Sequence, residues 1–281
     1  MTVADQSPSL VWLGTAGWSY LPDWIGSFYP AGTSASRALE RYVEAFRFVE
    51  VDSTFYAAPA VSTVERWARI FPAGFRASFK APKELVQDTM LNVPEVPFGH
   101  FCGSLDDALG DRLAMIVVQM QPSFLRTSDT EDSLRRFLRT WSERVPLALE
   151  FRHPSWRSAD ILAMLCDHGV VMVSNDLHDV ATLDRASFDT SHHRAYIRLI
   201  GRHDGIGKDR IQRPQTEARA WWVNQIAALV ERGVRHVYVV ANNHYEGHAP
   251  ATLRTLTAEL TEKGLTVVPA QGWPNGQVPL F

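Results

Sequence analysis

Eight short apolar runs recur along the chain, at 11–15, 48–53, 75–80, 113–120, 147–152, 170–175, 195–201 and 236–241. Between most of them apolar residues repeat with helical spacing, at 34–46, 62–71, 130–144, 158–168 and 215–232, with a last such segment at 251–263. Short runs with a helix-length crossover between them pair in parallel, because a tight hairpin cannot join parallel neighbours. Eight repeats in 281 residues predict a single (β/α)8 TIM-barrel-like domain. A doubly wound open sheet is the competitor, but no Gly-x-Gly-x-x-Gly turn follows the first run. Thr130 with Asp132 is expected to open one helix, and Gly169 and Gly233 to close two others. The barrel is expected over 11–270, with an N-terminal extension over 1–10 and a flexible tail over 271–281. Residues 81–112 read as an irregular insertion between the third and fourth strands, with a short helix near 101–109. The segment 266–270 reads either as a further strand or as a C-terminal extension.

Composition narrows the function classes. The formal charge of −3 and pI near 6.4 lack the basic footprint of a protein that coats nucleic acid. Cys102 and Cys166 have no metal-ligand spacing and make no disulfide framework. The first ten residues carry no charged-then-apolar signal, and no apolar run approaches a membrane span. The expectation is a soluble cytoplasmic protein without a membrane partner, and the sequence indicates no metal or organic cofactor.

In such barrels chemistry gathers where the strands end and the following loops begin. Those ends carry Glu50 and Asp52, Lys80, Gln119 and Gln121, Glu150 with Arg152 and His153, Asn175 and Asp176, Arg198, and Asn242 with Asn243. Nearly every strand therefore leaves the barrel on a charged or amide side chain. Alternation places Glu50 and Asp52 on one face of their strand, and carboxylates aimed into a fold require partners.

Several stretches carry a family resemblance. They are Gly14-Thr-Ala-Gly-Trp-Ser-Tyr20, Phe28-Tyr-Pro30, Val49-Glu-Val-Asp-Ser-Thr-Phe-Tyr56 and Phe75-Arg-Ala-Ser-Phe-Lys80. Gln119-Met-Gln-Pro-Ser-Phe124, Leu149-Glu-Phe-Arg-His-Pro-Ser-Trp156, Tyr196-Ile-Arg-Leu-Ile-Gly201 and Ala241-Asn-Asn243 continue them in order. Over roughly 10–265 the chain resembles the domain-of-unknown-function 72 (YecE-like) family. The resemblance implies a TIM-barrel-like fold with a polar cleft built from these motifs, and no assigned reaction. Ile200 stands where the family often has His, and Ala241 where it often has an aromatic residue.

The residues themselves suggest roles. Glu50 and Glu150 read as an acid/base pair, with Asp52 and Asp176 orienting their neighbours, or else as an internal ion-pair layer with Lys80, Arg152 and Arg198. Lys80 reads as a cation that positions an anion, with Schiff-base chemistry as an alternative. Arg152 and Arg198 suit bidentate contact with a carboxylate or phosphate, and Gln119, His153, Asn242 and Asn243 would fix a substrate's orientation. Trp18, Tyr20, Tyr56 and Trp156 offer stacking surfaces at the mouth. Gly201, Arg202, Gly205, Gly207 and Lys208 form a glycine-rich basic loop suited to phosphate, in a part of the barrel that often binds it. The terminal Gln277-Val-Pro-Leu-Phe281 resembles the tail with which bacterial DNA-processing proteins engage the sliding clamp, through Gln277, Leu280 and Phe281.

These readings converge on an enzyme of hydrolase or lyase type. It would act by acid/base catalysis in the barrel mouth on a polar, anionic substrate, phosphate-containing or nucleic-acid-derived, with DNA maintenance as its setting. A non-catalytic metabolite or nucleic-acid binding module is one rival. The other is a Schiff-base or proton-transfer enzyme for a small sugar-like molecule.

Overall fold

The computed structural model describes residues 8–177 and 193–268. Its strands are β1 (Leu10–Ala16), β2 (Phe48–Val51), β3 (Arg76–Lys80), β4 (Leu113–Gln119), β5 (Leu147–Glu150), β6 (Val171–Met172), β7 (Ser174–Asn175), β8 (Arg194–Leu199) and β9 (His236–Ala241). All pair in parallel, in the order β6-β5-β4-β3-β2-β1-β9-β8-β7. β6 and β7 are halves of one extended stretch, parted only by Val173, whose N–H donates to Leu149 O at 2.8 Å. The first half bonds to β5 and the second to β8, so the sheet closes on itself with eight staves. The predicted TIM barrel is therefore the fold, and each expected strand lies within a residue or two of its observed position.

The helices are α1 (Ala38–Ala45), α2 (Val61–Ile70), α3 (Lys83–Val86), α4 (Glu95–Leu109), α5 (Ser128–Trp141), α6 (Ala159–Asp167), α7 (Thr216–Glu231), α8 (Asn243–Glu246) and α9 (Ala249–Glu262). Two boundaries differ from expectation for clear reasons. α4 begins six residues before 101, because Pro97 falls in its first turn, where a missing N–H costs nothing. α5 begins ahead of Thr130, because Thr127 is the cap: its hydroxyl accepts from Thr130 N at 3.3 Å while Thr130 Oγ1 accepts from Thr127 N at 2.8 Å. Gly169 and Gly233 do terminate α6 and α7, with φ of +63° and +91°. Val267 bridges to Val11, and Val268 N donates to Val11 O at 2.8 Å, so the chain past α9 joins the outside of β1. The clamp-like residues Gln277, Leu280 and Phe281 lie outside the described residues.

Strand alternation sorts the core into two shells. Val49 and Val51 join the large apolar layer between sheet and helices, as do Ile116, Val118, Ile197 and Leu199. The residues between them, among them Phe48, Met115, Val117, Tyr196, Tyr238 and Val240, fill the barrel interior with Trp12. Above this apolar plug, toward the strands' C-terminal ends, the inward positions turn polar. Glu50 follows Phe48 and Arg198 follows Tyr196 at the next inward place on their strands. No helix among the described residues is long and apolar enough to cross a membrane.

Candidate functional site

The polar layer is organised by Arg198 on β8. Its Nη2 donates to Glu50 Oε1 at 2.7 Å, and its Nη1 reaches Glu150 Oε2 and, at 3.1 Å, Gln119 Oε1. Each glutamate's second oxygen is also engaged. Glu50 Oε2 accepts from the Tyr196 hydroxyl at 2.9 Å. Glu150 Oε1 accepts from Arg152 Nε at 3.1 Å and from Asn175 Nδ2 at 3.2 Å. Arg152 Nη2 donates to Gln119 Oε1 at 3.0 Å, which closes the network. Both glutamates are fully buried. Burial alone would push Glu150 up, but Arg198, Arg152 and Lys80 more than reverse this and hold it below the usual carboxylate range. For Arg198 burial works against the charge, and Glu50 with Glu150 outweighs it, so the guanidinium is held more firmly protonated than usual. Two glutamates and two arginines thus neutralise one another across β2, β5 and β8.

Lys80 stands outside this exchange. It ends β3, is buried, and takes part in no ion pair and no side-chain hydrogen bond among the described residues. Its Nζ lies 4.0 Å from the ring centroid of Phe55. Thr54 holds that geometry, because its hydroxyl bonds to Val51 O at 3.0 Å and Lys80 O at 2.7 Å, which ties the exits of β2 and β3 together. Burial and then the Arg198 charge push the lysine down to about 8, and Glu50, Glu150 and Asp52 offset only part of this. Asp52, just past β2 and half-buried, is pushed up by burial and by Glu50, with Lys80 and Arg198 opposing. A lysine close to deprotonation and a carboxyl drawn toward its neutral form therefore share the mouth.

The remaining expected residues divide. Trp18 and Tyr20 are half-buried beside the mouth, the Tyr20 hydroxyl donating to Ala16 O at 2.8 Å, and Tyr56 is 76% exposed on the rim. Trp156 is not a mouth residue. It stacks against Phe124 and Phe151, donates from Nε1 to Phe124 O at 2.7 Å, and shows no surface. His153 caps the turn before it, with Nδ1 accepting from Ser155 N at 3.2 Å. Asn242 caps α8 by accepting from His244 N at 3.0 Å. Asn243 is buried, its Oδ1 accepting from Trp24 Nε1 at 3.1 Å and Ala249 N at 2.9 Å. Asp176 uses both carboxylate oxygens on the backbone N–H groups of Ile200 and Gly201, which fixes the start of the glycine-rich loop. These four polar residues, His153, Asn242, Asn243 and Asp176, spend these atoms on building the loops around the site.

In the glycine-rich loop, Gly201 has φ +71°, and a Cβ there would lie 2.2 Å from His244 O, so close backbone approach requires glycine. Gly205 turns at φ +79°, and a Cβ on Gly207 would meet the Gln212 amide at 2.2 Å. The loop's own acids occupy neighbouring arginines: Asp204 pairs with Arg213, and Asp209 with Arg210 at 3.0 Å. Arg202 is exposed, while Lys208 reaches back over Tyr20, 5.5 Å from its ring centroid. Tyr196 and Phe55 were given no role in sequence, and Asn175 only that of a strand-end amide. Tyr196 could have been found, because it lies two residues before Arg198 and so shares its inward face.

Clefts of 470, 370 and 300 Å³ open among the helices of the outer shell, lined by residues such as Asn224 and Glu259, Asp160 and His168, and Asn92 and Arg136. Asp160 is held well below the usual carboxylate range by Arg126 at the surface, whereas the mouth gathers buried ionisable groups, Lys80, Glu50, Glu150 and Arg198, so the mouth remains the candidate. Among the described residues no group of three or more His, Cys, Asp or Glu is placed to hold a metal ion.

Comparison with known proteins agrees with this architecture. A DUF72 family protein from Thermotoga maritima superposes with a TM-score of 0.76 at 26% identity, over 90% of this chain and 99% of that one. A second, from Enterococcus faecalis, gives 0.70 at 18% identity over 89% and 95%. The curated UPF0759 protein YunF of Bacillus subtilis is 30% identical over 158 residues, a match spanning 53% of each chain. The profile described as "Protein of unknown function DUF72" matches residues 12–277, and the chain belongs to that family.

Proposed function

We propose that the protein is an enzyme whose reaction takes place in the barrel mouth on a small, polar, anionic substrate, with Lys80 as the proton-transfer group. One observation carries this reading: Arg198 bridges both buried glutamates, and Lys80, buried beside them, makes no ion pair among the described residues. The acid/base role expected of Glu50 and Glu150 passes to the lysine, because both carboxylates are fully buried and held by Arg198, with no access to solvent. The glutamates instead fix the cations. Arg152 is a quarter exposed in its side chain and uses Nε and Nη2 internally, so Nη1 is left to meet an anionic group of the substrate. Asp52, whose carboxyl is pushed up by burial and by Glu50, lies at the same mouth.

Competitive acetylation tests the reading directly. The chain has four lysines, Lys80, Lys83, Lys208 and Lys263, and trace acetic anhydride labels each in proportion to its neutral fraction. Peptide mass spectrometry across the pH range should show Lys80 half-titrating near 8, below the ordinary lysine value of 10.5. Half-titration of Lys80 at that ordinary value would overturn the assignment.

A further inference from the structure

We propose that Lys80 acts on its substrate as a nucleophile, forming an imine with an aldehyde or ketone carbon, and that the substrate is a carbonyl compound bearing a carboxylate or phosphate. This rests on the barrel-mouth reading above and names its substrate class.

The geometry supplies each requirement of the step. An amine attacks only through an unprotonated lone pair, which burial and a neighbouring cation favour and a carboxylate partner opposes. Arg198 is that neighbouring cation, and it hydrogen-bonds Glu50 and Glu150, whose pull on the lysine only partly offsets burial and the Arg198 charge. The Phe55 ring, 4.0 Å from Nζ, fixes the position of the amine at the mouth. Residue choice points the same way. Lysines are four of the 28 basic residues, so this chain meets its need for fixed positive charge with arginine. Two of the other three lysines are exposed and Lys208 is half-buried on a loop, whereas Lys80 is buried at a strand end. Arginine at that place would hold charge permanently; only lysine can give it up.

The step balances as follows. The Nζ lone pair forms a bond to the carbonyl carbon, and the C=O π pair moves onto oxygen, which takes a proton from solvent. Proton transfer from nitrogen to the resulting hydroxyl lets it depart as water. The nitrogen lone pair then forms the C=N bond, which leaves a protonated imine. Each carbonyl consumed gives one imine and one water, with no oxidant or reductant. The free Nη1 of Arg152 meets the anionic group, which is why an oxo acid or a phosphorylated ketone fits better than a neutral sugar.

Reductive trapping tests this. The full chain is incubated at pH 7.5 with glyoxylate, pyruvate or dihydroxyacetone phosphate and sodium cyanoborohydride, then digested and mapped by mass spectrometry. At least one probe should give a single adduct on Lys80, at least tenfold over Lys83, Lys208 and Lys263. Lys80→Arg should keep the fold by circular dichroism and lose that adduct. Asp52→Asn should leave Lys80 half-titrating no higher than in the wild type, since Asp52 raises it. Even labelling of all four lysines would overturn the proposal. So would no Lys80 adduct from any probe; if Lys80 nevertheless titrates near 8, proton transfer stands and only the imine falls.

Discussion

Replacing Lys80 with Met should make the protein more stable at neutral pH, and the gain can be worked from the site. Folding lowers the lysine from 10.5 to about 8. At about 1.4 kcal/mol for each tenfold change in proton affinity, holding it charged in the fold costs about 3 kcal/mol. Methionine has a similar unbranched shape and no charge to desolvate, but it forfeits the contact with Phe55, worth about 1 kcal/mol. The net gain is about 2 kcal/mol at pH 7. Its pH dependence carries the proof. Between pH 10.5 and 8 the unfolded chain holds a proton that the folded chain does not, so wild-type stability falls as pH falls through that window. Below pH 8 both states are protonated and the full deficit remains; above 10.5 neither is, and it vanishes. Urea unfolding of both proteins at matched pH isolates the lysine, since other titrating groups cancel in the difference. The advantage of Lys80→Met should shrink from about 2 kcal/mol at pH 7 toward zero or slightly below at pH 10.5. A variant less stable than wild type at pH 7, or a difference that does not change with pH, would refute the electrostatic account of the site.

Other substitutions probe the layer around it. Arg198→Met strands two buried carboxylates and should cost about 3–5 kcal/mol in urea melts, and adding Glu50→Gln with Glu150→Gln should restore most of the loss. Tyr196→Phe leaves Glu50 Oε2 without its donor, and a drop of about 1–3 kcal/mol is expected by the same assay. Trp156→Ala should destabilise by about 3–5 kcal/mol yet leave the Lys80 acetylation profile unchanged, while Tyr56→Ala should stay within about 0.5 kcal/mol of wild type.

The barrel was legible in sequence because strand and helix periods repeat eight times and each repeat constrains the next. The inward direction of Glu50, Glu150 and Arg198 followed from the same alternation. Partner choice did not. Three cations stood in reach of two glutamates, and which of them bonds depends on side-chain reach across the barrel, which alternation does not encode. Arg198 can bridge both glutamates because its planar fork has donors on two sides, and that single choice leaves Lys80 with no ion pair among the described residues. Trp156, Asn243 and Asp176 mislead for a different reason. Loops at a barrel's mouth need stacking, capping and backbone hydrogen bonds of their own, and these use the same residue types that ligands do.

The staves of the barrel are not joined equally. β1 and β8 each meet β9 through six paired residues, whereas β6 meets β5 and β7 meets β8 through two each. The closure at 171–175 is therefore a short-stitched seam in an otherwise continuous wall. Sub-global opening follows the least-bonded boundary, so amide protons of this stretch should exchange with solvent ahead of those in β1 and β9. Opening there parts Asn175 from Glu150 while the β2–β3 corner that holds Lys80 stays closed. The cylinder thus has a lightly stitched side at 171–175, while Thr54 ties together the strand exits that hold the amine.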